Sequence, residues 1–108
     1  MVRDELLRLR ASAAAEAATL ARDLEALFAA SRDSNADDEH DPEGATIGFE
    51  RAQLTALLST ARERIAEVDD ALRRVDTATY GVCERCGQPI AEERLVARPF
   101  ARHCMACA

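Results

Sequence analysis

The sequence predicts a mostly α-helical fold: a long antiparallel helical hairpin, coiled coil in character, followed by a small module gathered around four cysteines. Three observations predict it. Two stretches repeat apolar residues at alternating spacings of three and four, the pattern of helices that pack along one seam. A short stretch of turn-forming residues separates them. Beyond the second lies a segment of different character that holds every cysteine in the chain.

Residues 2–31 read as the first helix. Its seam is Leu6, Leu9, Ala13, Ala17, Leu20, Leu24 and Leu27. The spacings 3, 4, 4, 3, 4, 3 form a heptad pattern with one four-residue stutter, where a supercoil locally unwinds. Ala11, Ala13, Ala14, Ala15, Ala17 and Ala18 give the stretch high helix propensity and a slim surface.

Residues 32–44, RDSNADDEHDPEG, carry no periodicity and read as a loop. Pro42 disfavours a helical conformation at Asp41 before it. Residues 45–77 read as the second helix, about 50 Å long at ~1.5 Å per residue. Its seam, Leu54, Leu58, Ala61, Ile65, Val68, Leu72 and Val75, is unbroken. Toward the loop Ile47 still fits the seam, while Glu50 and Arg51 interrupt it. Two amphipathic helices joined by a short loop fold back on each other. That places Leu27 near Ile47 and Leu6 near Val68, with Phe28 and Phe49 packing across the tip. The expected division is residues 1–78 as the hairpin, with its tip loop at 33–44, and residues 79–108 as the cysteine module. A monomer is expected.

Composition narrows the classes of function. The chain has 108 residues and is 48% hydrophobic, yet Phe28, Phe49, Tyr80 and Phe100 are its only aromatics. Alanine supplies much of the apolar count, which excludes a large aromatic core. No apolar run approaches the roughly 18–20 residues that span a bilayer, so no membrane association is expected. The amino terminus, MVRDELLRLR, interrupts its apolar residues with charges and does not read as a signal peptide. A cytoplasmic location is expected.

The net charge is −6, and every basic residue is Arg. Residues 33–43 hold six acids and no base, so this one segment accounts for the whole imbalance. Without a basic face the chain is a poor autonomous binder of nucleic acid, because phosphate neutralisation supplies most non-specific affinity. No direct sequence-specific DNA binding is expected.

The cysteines follow the pattern Cys83-x2-Cys86, 17 residues, Cys104-x2-Cys107. Two such pairs match a tetrahedral structural zinc site, with one ion held by four thiolates. Gly87 follows the first pair, where a positive φ lets backbone N–H groups turn toward sulfur. Four protein ligands leave no open coordination position, so the ion is structural and activates no water. Two disulfides would need an oxidising compartment. A thioredoxin-like pair would need a βαβ context, which the sequence lacks. His103 adjoins Cys104 and is expected at the surface or behind the ligands. About 30 residues bury too little apolar surface to fold alone, so metal binding is coupled to folding. Ile90, Leu95, Val96 and Phe100 are the expected miniature core.

The stretch TYGVCERCGQPIAEERLVARP, the closing Cys104-x2-Cys107, and a long helix leading into Tyr-Gly-x-Cys resemble the DksA/TraR family of bacterial transcription regulators. The resemblance implies binding to RNA polymerase through its secondary channel, with an acidic coiled-coil tip near the catalytic centre modulating initiation. The family's tip motif is Asp-x-x-Asp-x-Ala. Here Asp38-x-x-Asp41-x-Glu43 keeps both acids and has Glu in the last place, whereas gap-free counting back from Cys83 gives His40, Glu43 and Ala45. Some members also bind ppGpp. Two arginines of that site correspond to Arg94 and Arg98, while its two lysines correspond to Glu67 and Ala108. Losing both cations predicts weak ppGpp dependence or none.

Two rival readings have their own discriminators. A zinc-stabilised coiled-coil adaptor for another protein would not compete with secondary-channel factors for polymerase. A thiol redox sensor would lose zinc under mild oxidant. No Gly-rich phosphate loop, nucleophile–base pair or open metal site marks an enzyme.

Overall fold

The computed structural model describes residues 2–33 and 42–108. Three helices follow in order: α1 (Val2–Asp33), α2 (Pro42–Asp76) and the short α3 (Glu92–Ala97). Among the described residues, β pairing is limited to one isolated antiparallel bridge between Val82 and Pro89.

The helices encroach on the expected loop. α1 runs to Asp33 and α2 begins at Pro42, against the 31 and 45 that periodicity suggests. The reason is local. A proline at the first helical position loses no hydrogen bond, since that N–H has no partner inside the helix. An acid beside it suits the positive end of the helix dipole. Glu43 therefore falls in the first turn of α2, though its side chain lies outside the described residues, as do Asp38 and Asp41 altogether.

The chain forms two compact units: Met1–Ser12 with Arg64–Ala108, and Ala13–Glu63. In the first, Arg3 pairs with Asp76, and Arg10 pairs bidentately with Asp69 at 2.5 and 3.3 Å. Advancing from Arg3 to Arg10 along α1 retreats by the same number of residues along α2, which defines antiparallel packing. The core is Leu6, Val68 and Ala71, all fully buried, with Leu9, Leu72, Val75, Tyr80 and Phe100 packed against them. Leu6 thus meets Val68 as the seams require.

In the second unit, Ala13, Leu58 and Ala61 are buried on the predicted seams. The expected aromatic contact does not form. Phe28 is covered by the Arg51 guanidinium, 5.4 Å from its ring centroid, and Phe49 is 73% exposed. A cation over a ring face gains electrostatic attraction while keeping its charge hydrated, so the arginine that breaks the seam becomes the partner of Phe28.

α2 stops in a Schellman cap. The Thr79 N–H donates to the Arg74 carbonyl at 2.9 Å and the Ala78 N–H to the Val75 carbonyl at 3.3 Å. This cap needs a left-handed residue, and Ala78 supplies it at φ 60°. Glycine is the usual occupant because a Cβ costs roughly 1–2 kcal/mol there. Part of that gain is returned as glycine's larger unfolded-state entropy. Ala78→Gly is therefore expected to stabilise the protein by about 0.5–1 kcal/mol. The check is a thermal midpoint raised by a few degrees, with Ala78→Val moving it the other way.

Candidate metal centre

The module after α2 is built from turns. Its first knuckle is a tight hairpin. The Cys83 N–H donates to the Gln88 carbonyl at 2.8 Å, the Gly87 N–H to the Cys83 carbonyl at 2.9 Å, and the Ile90 N–H to the Gly81 carbonyl at 2.8 Å. Gly87 sits at φ 75°, as the turn requires. The second knuckle closes with the Cys107 N–H on the Cys104 carbonyl at 3.0 Å. The two are tied by the Glu84 N–H donating to the Arg102 carbonyl at 2.9 Å.

These turns bring the sulfurs of Cys83, Cys86, Cys104 and Cys107 within 4.8 Å of one another. None is in a disulfide, and Cys86 Sγ lies 3.7 Å from Cys104 Sγ. A zinc tetrahedron with Zn–S near 2.3 Å has edges of about 3.8 Å. The donor set fits one zinc ion.

The electrostatics point the same way. Backbone N–H groups of Cys104, then of Cys86 and Arg85, pull the Cys83 thiol down to about 6 against the opposing effect of burial. Cys107 is pushed up to about 12, first by its hydrogen bond with the Cys104 thiol and then by burial. Sulfurs this close resist carrying charge together unless a cation compensates them. One divalent ion supplies that charge.

The return leg from α3 to the second knuckle has no strand partner among the described residues, so side chains satisfy most of its carbonyls. The Tyr80 hydroxyl donates to the Pro99 carbonyl at 2.7 Å. Arg74 donates to the Phe100 and Ala101 carbonyls at 3.3 and 3.2 Å. Arg94 Nε donates to the His103 carbonyl at 2.8 Å. Burial raises the Tyr80 phenol, partly opposed by the nearby Arg74 charge.

The miniature core holds with one correction. Ile90 is buried and Leu95 and Phe100 are half-buried, but Val96 is 77% exposed. α3 has only six residues, so one face packs and the neighbouring position necessarily points away. Of the two arginines read as a nucleotide-site remnant, Arg94 engages His103 and also Met105 Sδ at 3.2 Å. The Arg98 guanidinium stacks on the Phe100 ring at 5.6 Å, with Arg64 on the same ring at 5.3 Å.

Sequence reasoning missed Arg74 and the hydroxyl of Tyr80. Arg74 is the only polar or charged residue buried in the described chain, at 6% exposure. Its signal was the i+3 row Val68, Ala71, Arg74, which carries a charge in line with two apolar positions.

A pair of long helices bearing a four-cysteine zinc finger is the class that the fold and the site define. The comparisons agree. Residues 78–108 match the prokaryotic dksA/traR C4-type zinc finger. The solved structure of transcription factor DksA2 from Pseudomonas aeruginosa superposes with a TM-score of 0.82 at 30% identity, covering 98% of this chain and 76% of that one. The chain belongs to the DksA/TraR family.

Two curated relatives add detail. The chain is 52% identical over 57 residues to the RNA polymerase-binding transcription factor DksA of Caulobacter vibrioides (strain NA1000 / CB15N), covering 53% of this chain and 40% of the relative. It is 41% identical over 69 residues to general stress protein 16O of Bacillus subtilis, covering 64% and 42%. The chain thus spans less than half the length of these two relatives. No helix among the described residues is long and apolar enough to cross a membrane.

Proposed function

We propose that this protein is a non-enzymatic transcription regulator that binds RNA polymerase as a monomer, without recognising promoter DNA itself. Its helical prong enters the secondary channel, and the acidic segment, with Asp38, Asp41 and Glu43, modulates initiation. Cys83, Cys86, Cys104 and Cys107 are its zinc ligands, and the cytoplasm is its location. The supporting observation is a likeness to DksA2 over nearly the whole chain, joined to a charge of −6 concentrated in residues 33–43. A strongly negative segment near a catalytic divalent ion shifts the local field, which gives the charge a physical use. Arg94 and Arg98 spend contacts inside the module, and the matching lysine positions hold Glu67 and Ala108. Both facts favour regulation with little ppGpp dependence.

The test separates binding from effect. The triple variant Asp38→Ala, Asp41→Ala, Glu43→Ala is expected to copurify with polymerase like the parent and to lose its effect on initiation in a purified transcription assay. Normal regulation by the triple variant overturns the tip mechanism. Failure of the parent to bind polymerase, or to compete with another secondary-channel factor, overturns the whole reading.

A further inference from the structure

We propose that Arg74, a helix residue with no sulfur of its own, is a positioning residue of the zinc site: its one guanidinium holds Glu84 inside the first cysteine knuckle and the segment leading into the second at once. The inference needs the four-cysteine site and does not depend on which partner the protein binds.

The geometry is specific. Toward the second knuckle, Arg74 Nη1 and Nη2 donate to the carbonyls of Ala101 and Phe100, the residues that lead into Cys104. Toward the first knuckle, Arg74 Nε lies 3.8 Å from a carboxylate oxygen of Glu84, the residue directly after Cys83. From its own helix, Asp70 approaches the same Nε at 3.3 Å, one turn earlier. Neither Arg74 Nε nor that Asp70 oxygen completes a hydrogen bond, although both are buried. The pair is therefore held by charge and by its surroundings more than by alignment. The Arg74 backbone carbonyl also accepts the N–H groups of Thr79 and Tyr80, where the chain leaves α2 for Cys83. Residue 74 thus touches the chain on its way into each half of the metal centre.

Two physical consequences follow. A zinc ion with four thiolates is net negative, and a buried guanidinium adds positive charge within the same module. Release of zinc to a chelator also requires the knuckles to separate, and each contact of Arg74 resists that opening. Groups that orient ligands from behind commonly change metal affinity by about 10–100-fold when removed. Lysine cannot replace this arginine, because a single ammonium does not reach two carbonyls and two carboxylates in a planar fork.

The experiment measures transfer of zinc from the folded protein to a chromogenic chelator, with helix content followed in parallel. Arg74→Lys is expected to release zinc about tenfold faster. Glu84→Gln, which removes only the contact to the first knuckle, is expected to release it about threefold faster, a smaller share of the same effect. The double variant should release it no faster than Arg74→Lys alone, because Arg74→Lys has already lost the contact with Glu84. Leu58→Ala, a change at a buried seam position of the other compact unit, should lower the thermal midpoint and leave the release rate unchanged. Parental release rates in both Arg74→Lys and Glu84→Gln overturn the proposal. So does Leu58→Ala accelerating release as much as Arg74→Lys, which reduces Arg74 to general stability. If Arg74→Lys fails to fold, the rate in Glu84→Gln decides alone: acceleration supports the proposal and a parental rate overturns it.

Discussion

Removing zinc, or replacing Cys83 with serine, is expected to unfold residues 79–108. The module's apolar interior is too small to stand without the ion. Only Cys83, Ile90 and Ala101 are buried within it, and the first of these is a sulfur of the metal cluster. Burying one isoleucine contributes roughly 1.5–3 kcal/mol. A structural zinc ion contributes on the order of 10–16 kcal/mol in zinc-finger peptides. The metal term dominates. Elemental analysis should find one zinc per chain in the parent. Hydrogen exchange after chelation should show amide protection lost across 79–108, beginning with the Cys83 and Ile90 N–H groups of the first knuckle. Unchanged protection in the metal-free protein would show that packing alone holds the module.

Leu6→Ala is expected to destabilise the protein by about 3 kcal/mol, and Leu7→Ala by well under 1 kcal/mol. The two leucines are neighbours in sequence with opposite environments. Leu6 is fully buried against Val68 and Ala71, whereas Leu7 is 45% exposed. Deleting three carbons from a closed core loses their transfer free energy and leaves a cavity that helices fixed on either side fill only partly. Leu7 loses little because water already reaches it. Against a typical total of about 5–15 kcal/mol, the first change is a large fraction of stability. Denaturant midpoints of the two variants check the contrast, and equal midpoints would contradict the antiparallel register.

The helical seams were legible because burial on a helix is periodic and the apolar residues keep that period over many turns. Leu6, Ala13, Leu58, Ala61 and Val68 all fall on the expected positions and are all buried. The metal site was legible for a different reason. Two Cys-x-x-Cys pairs have few chemical uses, and the four sulfurs do converge. The helix ends near the turn were less legible, because Pro42 both breaks and begins helices. The Phe28–Phe49 contact failed because hydrophobicity names candidates for burial without naming partners. Arg51, which interrupts the seam, covers Phe28 instead.

The sequence by itself determined the order of the two long helices and the cysteine module, the faces those helices bury, the cysteine cluster and the concentration of charge in residues 33–43, since each is written in local spacing; the short α3 was not among them. Only the tertiary structure decided that Arg74 is buried against Phe100 and Ala101, that Tyr80 donates to Pro99, and that Val96 faces water. These depend on where the return leg of the zinc module passes over the helices. A carbonyl left without a strand partner must find a donor. Which side chain supplies it is set by proximity in space, between residues about twenty to thirty positions apart in the chain.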